Sequence, residues 1–481
     1  MTKQLDLNVP RVLIAADRSS AGKTTISVGL MSILSKDGQA VQPFKVGLDY
    51  IDPSYHSDVT GRFSRNLDGY LMSKQAVVEI FSHASRGADI AIIEGVRGLY
   101  EGLESTSDVG STAQIAKILR APVILVIDAR SITRSTAAIV QGYRSFDPRV
   151  HIEGVILNNI GSAKHATKAK EAIEHYTGVD VIGQIPRDDS MRLGMRHLGL
   201  VPAPEGLVRD QALRRQLENI EDSIRDHVDV EKVLEIARGA GPLPQVAPKA
   251  FVPPADGQTM HKAKVRVGVA FDETFNFYYH DLFDLFFLNA VDVAFFSPLH
   301  DRELPDVHGI YLGGGYPELF AHELERNRSM LSSLASSAQE GVPIFAECGG
   351  LMYLTESLEN AGKTTKMVGV VPAKTNMIHK RVIGYVEGTT VRDTIIGQKG
   401  TRFRGHEFHY SELTDLSSKL DFAFKLQKGT GISEGRDGIQ VQKTLASYCH
   451  VHPLSYPGLA TAFIRSCTTF KDQRARSTQS L

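Results

Sequence analysis

The sequence predicts two α/β domains joined by a linker. In the first half, short β-branched runs such as "RVLIAAD" (11–17) and "PVILVID" (122–128) alternate with longer amphipathic stretches. This alternation is typical of a parallel sheet covered by helices. A Pro-, Ala- and Gly-rich stretch without periodicity then separates the first set of strands from a second set, which begins at "KVRVGVAFD" (264–272). The expected divisions are a first domain at 10–236, a linker at 237–263, a second domain at 264–466, and a polar tail at 467–481, whose last residues, "KDQRARSTQSL" (471–481), we expect to be disordered.

The composition narrows the class of protein. The chain has 481 residues, more than a usual single domain, and its 54 basic and 55 acidic residues give a net charge of -1. This balance gives no indication of a nucleic-acid or membrane partner. The three cysteines are too few for a disulfide framework, the start has no signal-peptide architecture, and no apolar run reaches the ~18 residues that span a bilayer. The sequence therefore predicts a soluble cytoplasmic protein, and it leaves open whether the chain forms a homodimer.

Further strands follow in order along both halves. Their apolar residues fall on both faces, as expected for strands that are buried from both sides. The candidates are "AVQPFKV" (40–46), "DIAIIEG" (89–95), "EGVILNN" (153–159), "VIGQIP" (181–186), "VDVAFFSP" (291–298), "GIYLGGG" (309–315), "PIFAEC" (343–348) and "SYCHVH" (447–452).

The first strand leads into a candidate phosphate-binding loop. "IAADRSSAGKTTISVGL" places Gly22, Lys23, Thr24 and Thr25 between a strand and a helical pattern. Backbone N–H groups at such a helix start can cradle phosphates, Lys23 supplies positive charge, and the Thr24 hydroxyl can ligate Mg²⁺. The strict G-x-x-x-x-G-K-[ST] pattern is not met, because Asp17 stands at its first position. The alternative is an ordinary strand-to-helix turn.

Charged residues follow two other strands of the same half. Lys45, Asp49 and Asp52 lie in "FKVGLDYIDPSYH", and Glu94 ends the strand in "IIEGVRGLYEG". Ligands of parallel α/β sheets bind outside the carboxyl ends of the strands, where lysines and carboxylates can hold a triphosphate and magnesium. The alternative is that each is a solvated loop charge.

The second half contains a candidate nucleophile, Cys348. In "PIFAECGGLMYL" a strand runs into a turn carrying the cysteine, and a helix follows, which is the arrangement of a nucleophile elbow. The helix start favours a thiolate, and the glycine-rich "YLGGGYPE" (311–318) can present N–H groups to an oxyanion. The alternative is a buried structural cysteine, which is also the simplest interpretation of Cys449.

A general base is needed beside the cysteine, and four histidines are candidates. His406 and His409 lie in "RGHEFHYSE", and His450 and His452 lie in "ASYCHVH". Spacing alone does not decide among them. A His/Cys metal site is disfavoured, because no pair has a convincing zinc-ligand spacing.

Taken together, these motifs carry a family resemblance from about Arg11 to Pro453. "GGGYPE…AECGGLMYL…GHEFHYSE…SYCHVH" resembles the class I (triad-type) glutamine amidotransferase domain of cobyrinate a,c-diamide synthases and cobyric acid synthases. "SSAGKTT…PFKVGLDYIDPSYH…IIEGVRGLYEG…GVILNNIGSAKH" looks like the P-loop-type ATP domain of the same enzymes, which is related to dethiobiotin synthetase. The resemblance implies an ATP- and Mg²⁺-dependent ligase that takes ammonia from L-glutamine and amidates the a and c acetates of a tetrapyrrole macrocycle.

The resemblance also implies roles in the amidotransferase half. Cys348 would form a thioester, and the His of a Y-x-H motif falls on His450 as the base. Amides near Gly314 and of Gly349 would hold the oxyanion. Many triad amidotransferases have Glu two positions after the histidine, but His452 stands there, so the group that orients His450 is left open.

In the ATP half the resemblance implies a second set of roles. Gly22, Lys23, Thr24, Thr25 and Lys45 would serve the phosphates. Asp49, Asp52 and Glu94 would serve magnesium and a phosphorylated intermediate, with Thr24, Asp49 and Glu94 as the metal ligands. Tyr50 and Ile51 would orient the macrocycle, and Asn158 would read adenine or be a turn residue.

The identity of the tetrapyrrole rests on one loop. The common family form GPDYID is here "GLDYID", with Leu48 in place of a proline. This variant resembles the Ni-sirohydrochlorin a,c-diamide synthases of coenzyme F430 formation, which are typical of methanogens, so both Ni-sirohydrochlorin and cobyrinate are expected substrates. The alternatives are a cobyric acid synthase, a partitioning-type nucleotide switch and a simple cysteine hydrolase. The last two do not account for the cysteine elbow and the lysine–carboxylate cluster together.

Overall fold

The chain forms two compact units in a computed structural model that describes residues 8–191, 211–252, 265–417 and 419–479. The first unit is Met1–Lys249 and the second is Ala250–Leu481. The boundary between them falls inside the stretch predicted as a linker. The two-domain α/β fold predicted from the sequence is confirmed.

The first unit is built on a parallel sheet of seven strands. Their order is β3-β2-β4-β1-β5-β6-β7, and each neighbouring pair is parallel. Apart from β3, each strand coincides with one of the apolar runs found in the sequence. The strands are β1 (Arg11–Ala16), β2 (Val41–Val46), β3 (Arg65–Leu67), β4 (Ile90–Glu94), β5 (Val123–Asp128), β6 (Ile152–Ile160) and β7 (Val181–Pro186).

Helices cover this sheet and fill its core with aliphatic side chains. Helix α1 begins at Lys23, directly after the left-handed Gly22, so the candidate phosphate loop becomes the start of a helix. The helices are α1 (Lys23–Lys36), α2 (Ile51–Thr60), α3 (Lys74–Ala84), α4 (Thr112–Leu119), α5 (Ser135–Phe146), α6 (Ala163–Thr177), α7 (Gln211–His227) and α8 (Val230–Arg238).

The first part of the predicted linker is bound to the first unit. The buried guanidinium of Arg11 contacts the carbonyl oxygen of Gly241. Gln75 Nε2 donates to the carbonyl of Ala247 at 2.7 Å, and the amide of Lys249 donates to Glu79 Oε1 at 2.7 Å. These hydrogen bonds, rather than any periodicity, fix the path of the segment.

The second unit combines parallel and antiparallel pairing in one twelve-stranded sheet. Strands β10, β8, β11, β13 and β20 are parallel neighbours, and β19, β18 and β16 continue the sheet antiparallel. The strands are β8 (Arg266–Ala270), β9 (Phe275–Phe277), β10 (Asp292–Phe296), β11 (Gly309–Leu312), β12 (Gly314–Gly315), β13 (Ile344–Glu347), β14 (Thr355–Asn360), β15 (Lys363–Lys366), β16 (Val371–Thr390), β17 (Arg402–Thr414), β18 (Asp421–Lys428), β19 (Arg436–Val441), β20 (Thr444–Ser447) and β21 (His450–Val451).

The antiparallel part of this sheet was not predicted. Its strands carry many polar and half-exposed side chains, as in the twenty residues of β16, so they lack the continuous apolar runs that marked the parallel strands. The helices of this unit are α9 (Asp281–Leu288), α10 (Ala321–Arg326), α11 (Arg328–Gln339), α12 (Gly349–Leu354) and α13 (Leu459–Gln479).

The expectation of disorder at 471–481 was wrong for residues 471–479, which belong to helix α13. Cys467 is fully buried, and Phe470 packs against the core of the second unit. Arg474 also pairs with Asp306 at 2.6 Å. The segment is polar in composition, so the sequence did not reveal that its few apolar residues form one helix face packed against the sheet. Within the described residues, no helix is both long enough and apolar enough to cross a membrane.

Candidate active sites

The candidate phosphate-binding loop of the first unit contacts Asn158 of β6. Gly22 has φ 101°, and a Cβ at this position would lie 2.2 Å from Asn158 Nδ2. The same amide donates to the carbonyl of Ala21 at 2.8 Å. Asn158 thus braces the loop, which gives this side chain a structural contact besides the adenine contact predicted for it.

Lys23 is a largely buried cation at the start of α1. Its Nζ donates to the carbonyl oxygen of Arg18 at 3.4 Å. Burial, and then the nearby positive charge of Lys45, lowers the pKa of Lys23 to about 8. An anion bound at this loop would raise the pKa of Lys23 again, because it would favour the ammonium form.

Glu94 is the centre of a buried hydrogen-bond cluster at the end of β4. Its Oε1 accepts from Thr24 Oγ1 and from Lys45 Nζ, both at 2.7 Å, and its Oε2 lies 2.6 Å from His56 Nε2. Burial alone would raise the pKa of Glu94, but Lys45 and His56 hold it well below its usual range. Glu94 is therefore an ionised carboxylate, and it joins the phosphate loop to β2 and α2.

Asp52 and Asp49 complete this cluster. Asp52 forms an ion pair with Lys45, and its Oδ2 lies 3.3 Å from Thr24 Oγ1. Asp49 Oδ1 accepts from the amide of Ile51 at 2.8 Å, and burial together with Asp52 raises the pKa of Asp49 to about 7. Lys45 keeps its proton: burial lowers its pKa, but the three neighbouring carboxylates raise it well above its usual value.

A cavity of about 590 Å³ lies over this cluster. Residues predicted from the sequence make up much of its lining: Gly22, Lys23, Thr24, Thr25, Asp49, Ile51, Asp52 and Asn158. Lys45 and Glu94 contact its lining through Thr24 and Asp52. Sequence reasoning missed His56 and the cavity-lining Arg130, which pairs with Asp128. His56 ends the quoted "FKVGLDYIDPSYH" motif, but its spacing assigned it no role, and Arg130 lies outside the quoted motifs.

The donor set of this cavity fits magnesium rather than a metal held by protein alone. Among the described residues, no group of three or more His, Cys, Asp or Glu side chains is arranged to hold a metal ion. Magnesium is commonly bound by one or two carboxylates, a hydroxyl, substrate phosphates and water. The Thr24 hydroxyl beside Glu94 and Asp52 provides such oxygen donors.

In the second unit, Cys348 lies at a strained turn between β13 and α12. Its backbone has φ 47° and ψ -99°, and it is one of the non-glycine residues with positive φ. Its amide donates to Ser447 at 2.7 Å, and its carbonyl accepts from Met352 at 3.0 Å. Such strain at a strand-to-helix turn is typical of a nucleophile elbow. Burial, with a contribution from nearby Glu318, raises the pKa of the Cys348 thiol well above its usual value.

The glycine-rich loop at β12 contacts both the turn and a histidine. A Cβ at Gly349 would lie 2.9 Å from the amide nitrogen of Gly315. A Cβ at Gly314 would lie 2.5 Å from Cε1 of His450. The loop thus packs between the residue that follows Cys348 and the His450 imidazole, and the absence of side chains there makes the approach possible.

The four candidate histidines are all buried, and they have different neighbours. His450 pairs with His406 across β21 and β17, whereas His409 stacks on Tyr448 with ring centroids 3.8 Å apart. His452 Nε2 lies 3.2 Å from a carboxylate oxygen of Asp281. Burial, with His409 nearby, lowers the pKa of His450 to about 3, so its imidazole is neutral at physiological pH.

Two buried carboxylates fix the backbone on either side of His450. Glu347 Oε1 accepts from the amide of Val451 at 2.8 Å. Asp437 accepts from the amides of Tyr448 and Cys449 at 3.1 and 3.0 Å. Glu347 directly precedes Cys348, so this side chain ties the candidate nucleophile to the strand of the candidate base. These roles could not be predicted from the sequence, because they depend on contacts between residues far apart in the chain.

Because His409 is buried, the free energy of unfolding should depend on pH. Burial lowers the pKa of His409 from 6.5 to about 4. Below pH 6.5 the unfolded chain therefore binds a proton that the folded chain excludes, and His409 lowers the free energy of unfolding as pH falls. His409→Gln removes this term, so the stability gap between wild type and variant should shrink by about 1.4 kcal/mol per pH unit between pH 6.5 and 4.5. Urea unfolding followed by circular dichroism at several pH values measures the gap.

The exposed His322→Gln is the control for this experiment, because it replaces an imidazole that makes only a surface contact with Glu325. Its gap to wild type should stay constant over the same pH range. A His409→Gln gap that is equally constant would contradict the prediction.

Comparison with known proteins agrees with the fold of both units. Residues 12–201 match the model of the CobQ/CobB/MinD/ParA nucleotide binding domain, and residues 266–457 match that of the CobB/CobQ-like glutamine amidotransferase domain. A nucleotide-binding domain and a glutamine amidotransferase domain in one chain define a glutamine-hydrolysing carbon–nitrogen ligase.

Full-length relatives narrow this class. A protein of Methanosarcina acetivorans named cobyrinate a,c-diamide synthase is 54% identical, over 97% of both chains. Proteins with the same name from Methanosarcina barkeri and Archaeoglobus fulgidus are 52% and 45% identical; the first match covers 98% of this chain and 99% of the relative, the second 96% and 98%. The chain belongs to the cobyrinate a,c-diamide synthase family.

Proposed function

We propose that this enzyme amidates the a and c acetate side chains of a tetrapyrrole, with ATP to activate each carboxylate and L-glutamine as the nitrogen source. The observation that carries the proposal is the similarity, over nearly the whole chain, to relatives named cobyrinate a,c-diamide synthase. The two candidate active sites support it, since each provides the groups that one half of the reaction needs.

Ammonia is released in the second unit. Cys348 Sγ attacks the glutamine side-chain carbonyl while His450 takes the thiol proton, and a C–S bond forms. The C–N bond then breaks, His450 returns the proton to the leaving ammonia, and water hydrolyses the thioester to glutamate. Amides near Gly314 and of Gly349 hold the developing oxyanion. Burial raises the pKa of the Cys348 thiol and lowers that of His450, so the cysteine rests as a thiol and the neutral imidazole has a nitrogen that can accept a proton.

Carboxylate activation occurs in the first unit. A carboxylate is a poor electrophile, so transfer of the terminal phosphoryl group of ATP gives an acyl phosphate, and ammonia displaces phosphate from it. The phosphate loop with Lys23, Thr24 and Thr25 and the nearby Lys45 holds the phosphates. Thr24, Glu94 and Asp49 would hold magnesium, which would supply charge neutralisation there. Asp52 joins these ligands in the cluster, and Tyr50 and Ile51 at the start of α2 orient the macrocycle.

Cobyrinate and Ni-sirohydrochlorin are both proposed substrates. The relatives' names support cobyrinate. The "GLDYID" loop, with Leu48 at its second position, supports Ni-sirohydrochlorin, as does the methanogen origin of the two Methanosarcina relatives. Both macrocycles carry the a and c acetates, so one activation site serves either.

Mass spectrometry tests the proposal directly. The purified protein is incubated with ATP, Mg²⁺ and glutamine labelled with heavy nitrogen at its amide, together with either cobyrinate or Ni-sirohydrochlorin. We expect two labelled amides per macrocycle, at the a and c positions. Amidation of other side chains would indicate a cobyric acid synthase instead, and no amidation of either compound would contradict the proposed function.

A further inference from the structure

The imidazole of His450 has a close aromatic neighbour that the reaction outlined above does not use. His406 lies opposite His450 in the register of β17 and β21. The two rings are stacked with centroids 4.9 Å apart and an interplanar angle of 19°. Each residue is only 2% exposed. The stack is therefore a fixed element of the interior.

The glycine-rich loop provides a second contact that restricts the imidazole of His450. The backbone at Gly314 approaches Cε1 of the imidazole so closely that a Cβ there would lie 2.5 Å away. Because the torsion that turns an imidazole about its Cβ–Cγ bond is broad, the ring plane has to be set by its contacts. The His406 ring and the Gly314 backbone are two such contacts.

The residue at the usual place of the orienting carboxylate is engaged elsewhere. In a triad that carboxylate holds the imidazole in its reactive orientation. Here the residue two positions after His450 is His452, and its Nε2 lies 3.2 Å from Asp281 Oδ2. His452 and Asp281 are both essentially fully buried.

His406 is itself anchored to this pair through an aromatic residue. Its Nδ1 lies 3.2 Å from the hydroxyl of Tyr279. The Tyr279 ring packs edge-on against His452, with centroids 4.6 Å apart. The buried His452–Asp281 pair thus holds the Tyr279 ring, and Tyr279 holds His406. His406 in turn can hold the imidazole of His450.

We propose that His406 is a positioning residue, which sets the imidazole plane of His450 by stacking and does the orienting task of the carboxylate that many triads have where His452 stands here. Burial and the nearby His450 and His452 hold the pKa of His406 well below its usual value, so the ring stays neutral. A neutral ring can remain stacked when His450 becomes an imidazolium, because no like charge opposes it. This inference rests on the proposed role of His450 as the base.

Steady-state kinetics of the full chain tests the proposal. For His406→Ala we expect the kcat of glutamine hydrolysis to fall about 10²-fold, since a misplaced catalytic group can cost this much. The KM for glutamine should change less than about threefold, and amidation with ammonium salt should stay at the wild-type rate. His406→Phe keeps a ring to stack on His450 and should recover at least about tenfold of the lost kcat.

His322→Gln is the control, because His322 is an exposed histidine of the same unit that lies beside Glu325. Its kcat should stay within about threefold of wild type. If His406→Ala does not fold, His406→Phe carries the test: folded protein with kcat within about tenfold of wild type supports the proposal, and folded protein without activity overturns it.

Three other results would overturn the proposal: an unchanged kcat in His406→Ala, a higher KM with unchanged kcat, or a His406→Phe variant as impaired as His406→Ala. Failure of the proposed function looks different. In that case Cys348→Ala would still hydrolyse glutamine, whatever the behaviour of His406.

Discussion

Cys348→Ala should abolish glutamine-dependent amidation and leave amidation supported by ammonium salt close to the wild-type rate. Without Sγ no thioester can form, and we expect glutamine hydrolysis to fall by at least about 10⁴-fold. The cavity to which we assign carboxylate activation lies in the first unit, so added ammonia should bypass the loss. Glutamate release and amide formation, measured with each nitrogen source, separate the two halves of the reaction.

Cys467→Ala is the matched control for this variant. Cys467 is also a fully buried cysteine of the second unit, but it lies on α13, and its Sγ packs against Gly309. Its removal should cost some stability and leave both nitrogen sources usable. Glutamine hydrolysis by Cys348→Ala, or a failure of ammonia to restore amidation, would refute the assigned division of labour.

Asp49→Asn should have the opposite effect, with glutamine hydrolysis retained and amide products lost. The substitution keeps the volume of the side chain and an oxygen that can accept from the amide of Ile51, but it removes a negative charge from the cavity lining. If Asp49 binds magnesium or stabilises the phosphorylated intermediate, we expect amidation to fall about 10²–10³-fold with either glutamine or ammonia. Product formation by mass spectrometry and glutamate release measure the two activities.

Asp58→Asn provides the control on the same helix. Asp58 is a buried carboxyl group of α2 whose pKa is raised to about 7 by burial, but it does not line the cavity. We expect its amidation rate to stay within about threefold of wild type. Full diamide synthesis by Asp49→Asn would remove Asp49 from its assigned role, and an equal loss in Asp58→Asn would trace the effect to packing of the helix.

The clustering of the candidate nucleotide-site residues could be predicted because these residues lie in short contiguous motifs. Lys23 and Thr24 follow Gly22 directly, and Asp49 and Glu94 each follow a buried strand. Parallel strands bring their carboxyl ends to one edge of the sheet, so the motifs meet there whatever the details of packing. His56 could not be assigned, because its hydrogen bond to Glu94 depends on how α2 packs against β4.

The second unit shows more clearly which elements could not be predicted from the sequence. The turn at Cys348 was evident from a strand followed by small residues, but the antiparallel strands β14–β19 were missed because their half-exposed faces carry no continuous apolar run. The helix over 467–479 was missed for a similar reason. Its apolar residues are few, and they become a helix face only against a sheet that covers them.

The sequence by itself determined the two α/β domains, the phosphate loop, the cysteine turn and the family, since these depend on local backbone geometry and on motifs within single segments. Only the tertiary structure decided what surrounds His450. The stacking on His406, the contact with Gly314 and the hydrogen bond from Val451 to Glu347 join residues from four separate segments of the chain. Such contacts depend on the register of strands and on the burial of polar groups, and spacing along the chain encodes neither.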